Sequence, residues 1–246
     1  MSKSVFLTGA SGGLGAGMAR EFARRGYTLV LTARRTEKLE ELATELRTLG
    51  APNVLVRHLD VTDYDSIPRV MGEVATELGS LDIVVANSGV GGSGGIGRGA
   101  FERARCIMET NAIGAMATVD AAVELFRRQG YGHVVGVSSV AGVRGLPMQG
   151  AYSASKAALS NYLQAARAEL RGSKIQVTDL APGFIDTAIN QHMASRPFVV
   201  SAQKGTAAMV ALIESGVSFA YVPRFPWTPL AMLLRVLPSR FLTMTN

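Results

Sequence analysis

The sequence predicts an α/β fold: a doubly wound parallel sheet of about seven strands with helices on both faces. Three observations predict it. Short apolar runs recur at Val5-Phe6-Leu7, Leu29-Val30-Leu31, Val54-Leu55-Val56, Ile83-Val84-Val85, Val134-Val135-Gly136-Val137 and Ile175-Gln176-Val177, with Ser218–Val222 as a possible last strand. They are nearly continuous rather than alternating, which suits strands buried on both faces. The stretches between them carry helical spacing, as in Thr36–Leu49, where Leu39, Leu42, Ala43, Leu46 and Leu49 fall on one face. Finally, the alternation of strand and helix implies right-handed βαβ crossovers.

Composition agrees with a globular protein that needs no covalent staple. Of 246 residues, 48% are hydrophobic and 18% charged, enough apolar material for a sizeable core. The only cysteine is Cys106, so no intrachain disulfide can form, and His58, His133 and His192 lack zinc-ligand spacing, so no metal is expected. The net charge of +6 favours anionic partners, but it is spread along the chain without a basic run, which argues against nucleic acid. Val5–Ala10 is too short for a signal segment, and no stretch reaches the ~18 apolar residues of a membrane span. The expectation is a cytoplasmic protein of one domain, residues 1–246. The glycine-rich stretch Gly89–Gly99 is read as a loop above the sheet rather than a linker.

The first strand runs into Thr8-Gly9-Ala10-Ser11-Gly12-Gly13-Leu14-Gly15, and a helical pattern follows at once. Glycines allow a tight turn and close approach to a pyrophosphate, while the new helix aims its free N–H groups and dipole at that anion. The second strand ends Thr32-Ala33-Arg34-Arg35. A site selective for NAD places an acidic residue here to hold the ribose 2′-hydroxyl. This chain offers none, and two guanidiniums stand where a 2′-phosphate would sit. The expected cofactor is NADP(H).

Tyr152-Ser153-Ala154-Ser155-Lys156 sets a phenol and an ammonium four residues apart, on one face of a predicted helix. A free phenol titrates near pH 10, and a neighbouring ammonium favours the phenolate, so the pair is expected to bring Tyr152 toward working pH.

With these motifs in order, the chain resembles the short-chain dehydrogenase/reductase family over roughly residues 4 to 190, and the resemblance implies a Rossmann-type sheet. The glycine turn has that family's Gly9-x-x-x-Gly13-x-Gly15 spacing, and Ser139 lies thirteen residues before Tyr152, the family's usual separation. Asn111, within a long helix expected around Phe101–Arg127, completes an Asn–Ser–Tyr–Lys tetrad. The resemblance implies that Asp60 and Val61 meet the adenine, and that Ala86-Asn87-Ser88-Gly89 forms part of the cofactor wall, with Ser88 where the family usually has Ala. In Pro182-Gly183-Phe184-Ile185-Asp186-Thr187, Ile185 and Thr187 would meet the carboxamide, exposing the nicotinamide face that transfers the pro-S hydride. It also implies the roles: Tyr152 exchanges a proton with the carbonyl oxygen, Lys156 holds the nicotinamide ribose and tunes Tyr152, Ser139 hydrogen-bonds the substrate oxygen, and Asn111 holds a water.

Residues 188–200 are expected to form a substrate lid, whose Ile189, Met193, Phe198 and Val199 suit an apolar substrate. Residues 223–246 form an apolar extension that departs from the family's common tetrameric members. In it Thr228 is read as a helix N-cap, Pro229 as the first helical residue and Pro238 as the stop, with Arg235 and Arg240 nearby. This helix could cover the pocket, build a subunit interface or lie on an anionic membrane, and packing against a protein core is favoured. The expected partners are a small ketone or alcohol and a second copy, as homodimer or homotetramer. A non-catalytic NADPH-binding sensor or scaffold is the alternative, since cofactor binding alone does not require turnover.

Overall fold

In a computed structural model, all residues are described except Met1, Ser93, His192, Ala194, 239–241 and 243–246. The elements, in chain order, are β1 (Ser4–Thr8), α1 (Gly13–Arg24), β2 (Thr28–Ala33), α2 (Thr36–Thr48), β3 (Val54–His58), α3 (Ser66–Leu78) and β4 (Ile83–Ala86). They continue with α4 (Phe101–Met108), α5 (Gly114–Gln129), β5 (Gly132–Val137), α6 (Gly150–Glu169), β6 (Ile175–Pro182), α7 (Ala202–Glu214), β7 (Phe219–Val222) and α8 (Arg224–Val236). The seven strands form one parallel sheet in the order β3-β2-β1-β4-β5-β6-β7. This is a Rossmann-like fold.

Two apolar layers cover the sheet. Met18, Phe22, Leu39, Leu46 and Met209 of α1, α2 and α7 pack on one face. Ile67, Val74, Val119, Phe126 and Leu163 of α3, α5 and α6 pack on the other. The chain returns past β1 to form β4, so β1 and β4 flank the topological switch point, the crevice where ligands bind in such sheets. Asn87 staples it: its amide Nδ2 donates to the Thr8 carbonyl at 2.9 Å, and its backbone N–H to Thr8 Oγ1 at 3.0 Å.

Two expected helices differ in detail. The helix expected around Phe101–Arg127 is interrupted by a π-helical turn, Glu109–Ile113, that contains Asn111. There Asn111 Nδ2 donates to the Val90 carbonyl at 2.9 Å while its Oδ1 accepts from Val90 N–H at 2.7 Å, and such bulges gather at functional positions. In α8 the N-cap is Pro223 rather than Thr228, and Phe225 breaks the helical conformation, so regular helix starts at Pro226. Pro229 still falls within its first turn, where a missing N–H costs little. Arg144 donates to the carbonyls of Leu234 and Leu237 and so closes the far end of α8. Arg240 lies outside the described residues. Among the described residues no helix is long and apolar enough to cross a membrane.

One buried side chain makes stability pH-dependent. His133 on β5 is 8% exposed and hydrogen-bonds Thr178 Oγ1 at 2.8 Å. Burial, helped by the charge of Lys3, holds its pKa down to about 4. Below its ordinary value near 6.5, the unfolded chain binds a proton that the folded chain refuses until about pH 4, so stability falls with pH across that window. From pH 7 to pH 5 the loss is about 2 kcal/mol. Urea midpoints at the two pH values should therefore differ more for the wild type than for His133→Gln. Equal differences contradict the assignment.

Candidate active site

The carboxyl ends of β1, β2, β4, β5 and β6 open into a cleft of about 540 Å³. At one end lies the glycine turn. Gly13 has φ +55°, a conformation that side chains rarely adopt, and a Cβ on Gly15 would fall 2.3 Å from the Gly9 carbonyl oxygen. A side chain at either position would strain or push open the turn, so at Gly13 and Gly15 only backbone is present.

The end of β2 supplies the charge. Arg35 Nη2 donates to Ser11 Oγ at 3.1 Å, and Arg34 lies 3.8 Å from the Asp60 carboxylate; both guanidiniums belong to exposed residues on the cleft wall. Burial works against the Asp60 carboxylate, yet hydrogen bonds from Thr62 and the charge of Arg34 outweigh it and hold its pKa below the usual range.

The floor at the other end is built by α6 and the end of β5. Tyr152 and Lys156 stand one helical turn apart on α6, and Lys156 Nζ lies 5.9 Å from the centre of the Tyr152 ring. That ammonium donates to the Val137 carbonyl at 2.8 Å. Burial pulls the Lys156 pKa down to about 8, with the charge of Asp179 acting in the opposite sense. The Tyr152 phenol is raised above its ordinary value by burial, against a hydrogen bond with Ser139 that lowers it. Burial thus acts against the lowering expected from the Tyr–Lys spacing.

Ser139 ends β5 as the cap of a short 3₁₀ turn, its Oγ accepting from Ala141 N–H at 3.1 Å and donating to the Pro182 carbonyl at 3.3 Å. Behind it stands a buried acid the sequence reading passed over. Asp179, 1% exposed on β6, accepts from Ser138 beside Ser139 and from Ser160 one turn after Lys156. Burial raises its pKa, and the two serine bonds oppose the rise. The carboxylate thus ties the end of β5 to the middle of α6.

Of the residues singled out in the sequence, Gly9, Ser11, Gly13, Leu14, Arg34, Arg35, Asp60, Val61, Asn87, Gly89, Ser139, Tyr152, Lys156, Pro182, Gly183, Ile185 and Thr187 all line this one cleft. Gly15 supports the turn from within, and Asn111 stands behind Val90, fully buried. Its amide is bonded at both ends to the Val90 backbone, and its Nδ2 also lies 3.4 Å from Ser155 Oγ on α6.

The segment from Ile185 to Val200 leaves and rejoins the body at a single bridge between those residues, and Ile189, Asn190 and Met193 within it reach the cleft. His192 lies outside the described residues. Trp227 and Leu234 of α8 close the same end of the cleft. Trp227 is 6% exposed, and its Nε1 has no hydrogen-bond partner among the described residues. It packs so closely that a Cβ on Gly183 would fall 2.1 Å from the indole.

Comparison with known proteins fits this geometry. Residues 3–197 match the family model described as short chain dehydrogenase. An uncharacterized oxidoreductase of Mycobacterium tuberculosis is 40% identical over 240 residues, 97% of this chain and 95% of that protein. The 11-beta-hydroxysteroid dehydrogenase 1A of Arabidopsis thaliana is 38% identical over 195 residues, 77% of this chain but 54% of that longer protein. The solved structure of an alcohol dehydrogenase from the archaeon Thermococcus sibiricus, complexed with 5-hydroxy-NADP, superposes with a TM-score of 0.80 at 28% identity, covering 90% of this chain and 96% of that one. Sheet order, cleft and sequence likeness converge, and the chain belongs to the short-chain dehydrogenase family of oxidoreductases.

Proposed function

We propose that the protein uses NADP(H) to interconvert a ketone or aldehyde and its alcohol, on a small and largely apolar substrate. The single observation that carries this reading is a Tyr152–Lys156–Ser139 floor, its lysine buried, at one end of a cleft whose other end is the glycine turn with Arg34 and Arg35. The turn fits a pyrophosphate because its glycines let backbone N–H groups approach closely, and the two arginines suit a 2′-phosphate. The archaeal relative's complex with an NADP analogue supports the same cofactor.

Bound NADPH supplies the hydride. Tyr152 gives its phenolic proton to the carbonyl oxygen, and Ser139 donates a hydrogen bond to that oxygen as negative charge develops on it. Lys156 orients the nicotinamide ribose and is the cationic neighbour of the phenolate left behind. Ile185 and Thr187 would meet the carboxamide, and Asn111, bonded to the Val90 backbone, would hold a water that links Lys156 to solvent. Apolar Ile189, Met193, Trp227 and Leu234 form the substrate end, with residues 188–200 as its lid and 223–246 as an extension of the same domain. The family likeness, including the steroid dehydrogenase, supports an apolar substrate and self-association as homodimer or homotetramer.

The test is absorbance at 340 nm with NADPH against steroid, acyl, aryl and sugar ketones. Oxidation of NADPH with an apolar ketone supports the reading. Tight NADPH binding without turnover of any of them favours the sensor or scaffold alternative. In the same assay, Arg34→Ala/Arg35→Ala should lower kcat/KM for NADPH by about tenfold or more and leave the NADH value nearly unchanged, since each lost charge-assisted contact is worth roughly 1.5–3 kcal/mol. An unchanged NADPH/NADH ratio contradicts the role given to the arginines.

A further inference from the structure

We propose that the outer face of α8 docks on an anionic lipid surface at the mouth of the cleft. The helix has two apolar faces. Trp227, Leu230, Ala231 and Leu234 turn inward, where Trp227 and Ala231 join a small core with Tyr221 and Val140. On the opposite side Pro229, Met232, Leu233 and Val236 follow one another at i, i+3, i+4 and i+7 and form a single stripe. Among the described residues nothing covers that stripe: Met232 is 65% exposed, Leu233 53% and Val236 76%, with Phe225 at 81% just before it. Phe198, close to the Val200 bridge, is also exposed and packs edge-on against Trp227, so a further exposed aromatic stands beside α8. Isolated exposed apolar residues need no explanation, but a contiguous stripe does.

Charge selects the occupant. Residues 215–246 contain three arginines and no Asp or Glu. Arg224 and Arg235 flank the stripe on the exposed surface, Arg235 beside Tyr221. A second copy meeting this face about a two-fold axis would bring the stripe's arginines together with no acidic side chain of the same segment to offset them. An anionic lipid surface takes the apolar stripe into its acyl boundary and pairs the guanidiniums with headgroup phosphates. The proposal rests on exposed side chains and not on the reaction. If the oxidoreductase reading also holds, its consequence is that an apolar carbonyl compound enters the cleft from the bilayer.

Vesicle flotation tests it, independently of catalysis. The full chain should float with phosphatidylglycerol/phosphatidylcholine vesicles, float less with phosphatidylcholine alone, and release as salt rises. Met232→Glu/Leu233→Glu should weaken partitioning by about tenfold or more while keeping the wild-type melting temperature, because both side chains are exposed and neither lines the cleft. Phe225→Ser carries the same test should the double variant fold poorly. Failure of the wild type to float, or equal flotation of wild type and variants, overturns the proposal. So does a wild-type dimer in sedimentation velocity that Met232→Glu/Leu233→Glu converts to monomer, for then the face belongs to a second copy.

Discussion

Tyr152→Phe is expected to lower kcat/KM for ketone reduction by about 10²–10⁴, roughly 3–5 kcal/mol of barrier, with NADPH affinity nearly unchanged. The phenyl ring keeps its packing at the start of α6, and only the hydroxyl that meets Ser139 is lost. Burial holds this phenol above its ordinary pKa, which sets the direction of the pH response. Reduction consumes the neutral phenol, so its rate should stay level through neutral pH. Alcohol oxidation needs the phenolate and should speed up as pH rises. Retention of more than a few per cent of wild-type activity in Tyr152→Phe, measured under saturating NADPH, contradicts the assignment of the proton donor.

Lys156→Met should cost about 10²–10³ in kcat/KM, the scale of losing one charged hydrogen-bond donor at a reacting centre. Methionine nearly matches the length of the lysine stem, so the packing of α6 on β5 survives. Two effects on stability oppose each other. The variant removes a buried ammonium whose burial already drags its pKa to about 8, and it leaves the Val137 carbonyl without its donor. The melting temperature should therefore move by no more than about 4 °C while activity collapses. Wild-type kcat/KM in Lys156→Met would show that the ammonium serves packing alone.

The sheet was legible because burial on both faces leaves an unmistakable trace. Val5–Leu7, Leu29–Leu31 and Ile83–Val85 are buried throughout, and a run of apolar residues at a turn is hard to build otherwise. The glycine turn was legible for a comparable reason, since backbone that must pass within 2.3 Å of a would-be Cβ accepts no other residue. The orientation of α8 was not. Apolar residues on nearly every side give no periodicity from which to tell the inward Trp227 from the outward Met232, and only packing separates them. Nor does Tyr–Lys spacing report the burial that acts against a lowered phenol pKa, because spacing shows only which charges are near. Asp179 did leave a signal: an acidic residue inside Val177-Thr178-Asp179-Leu180-Ala181, a strand otherwise fit for burial, must find hydrogen-bond partners there. The π-turn at Asn111 left none, and the side chain it carries bonds to Val90, twenty-one residues away.

The most direct test follows the hydride itself. An apolar ketone is incubated with NADPH deuterated at the pro-S position of nicotinamide C4, and the alcohol is weighed by mass spectrometry. The account predicts an alcohol one mass unit heavier, deuterated at the carbinol carbon, from the pro-S label and an unlabelled one from the pro-R label. NADPH that binds without forming alcohol, or an alcohol unlabelled by either cofactor, would contradict hydride transfer at this cleft.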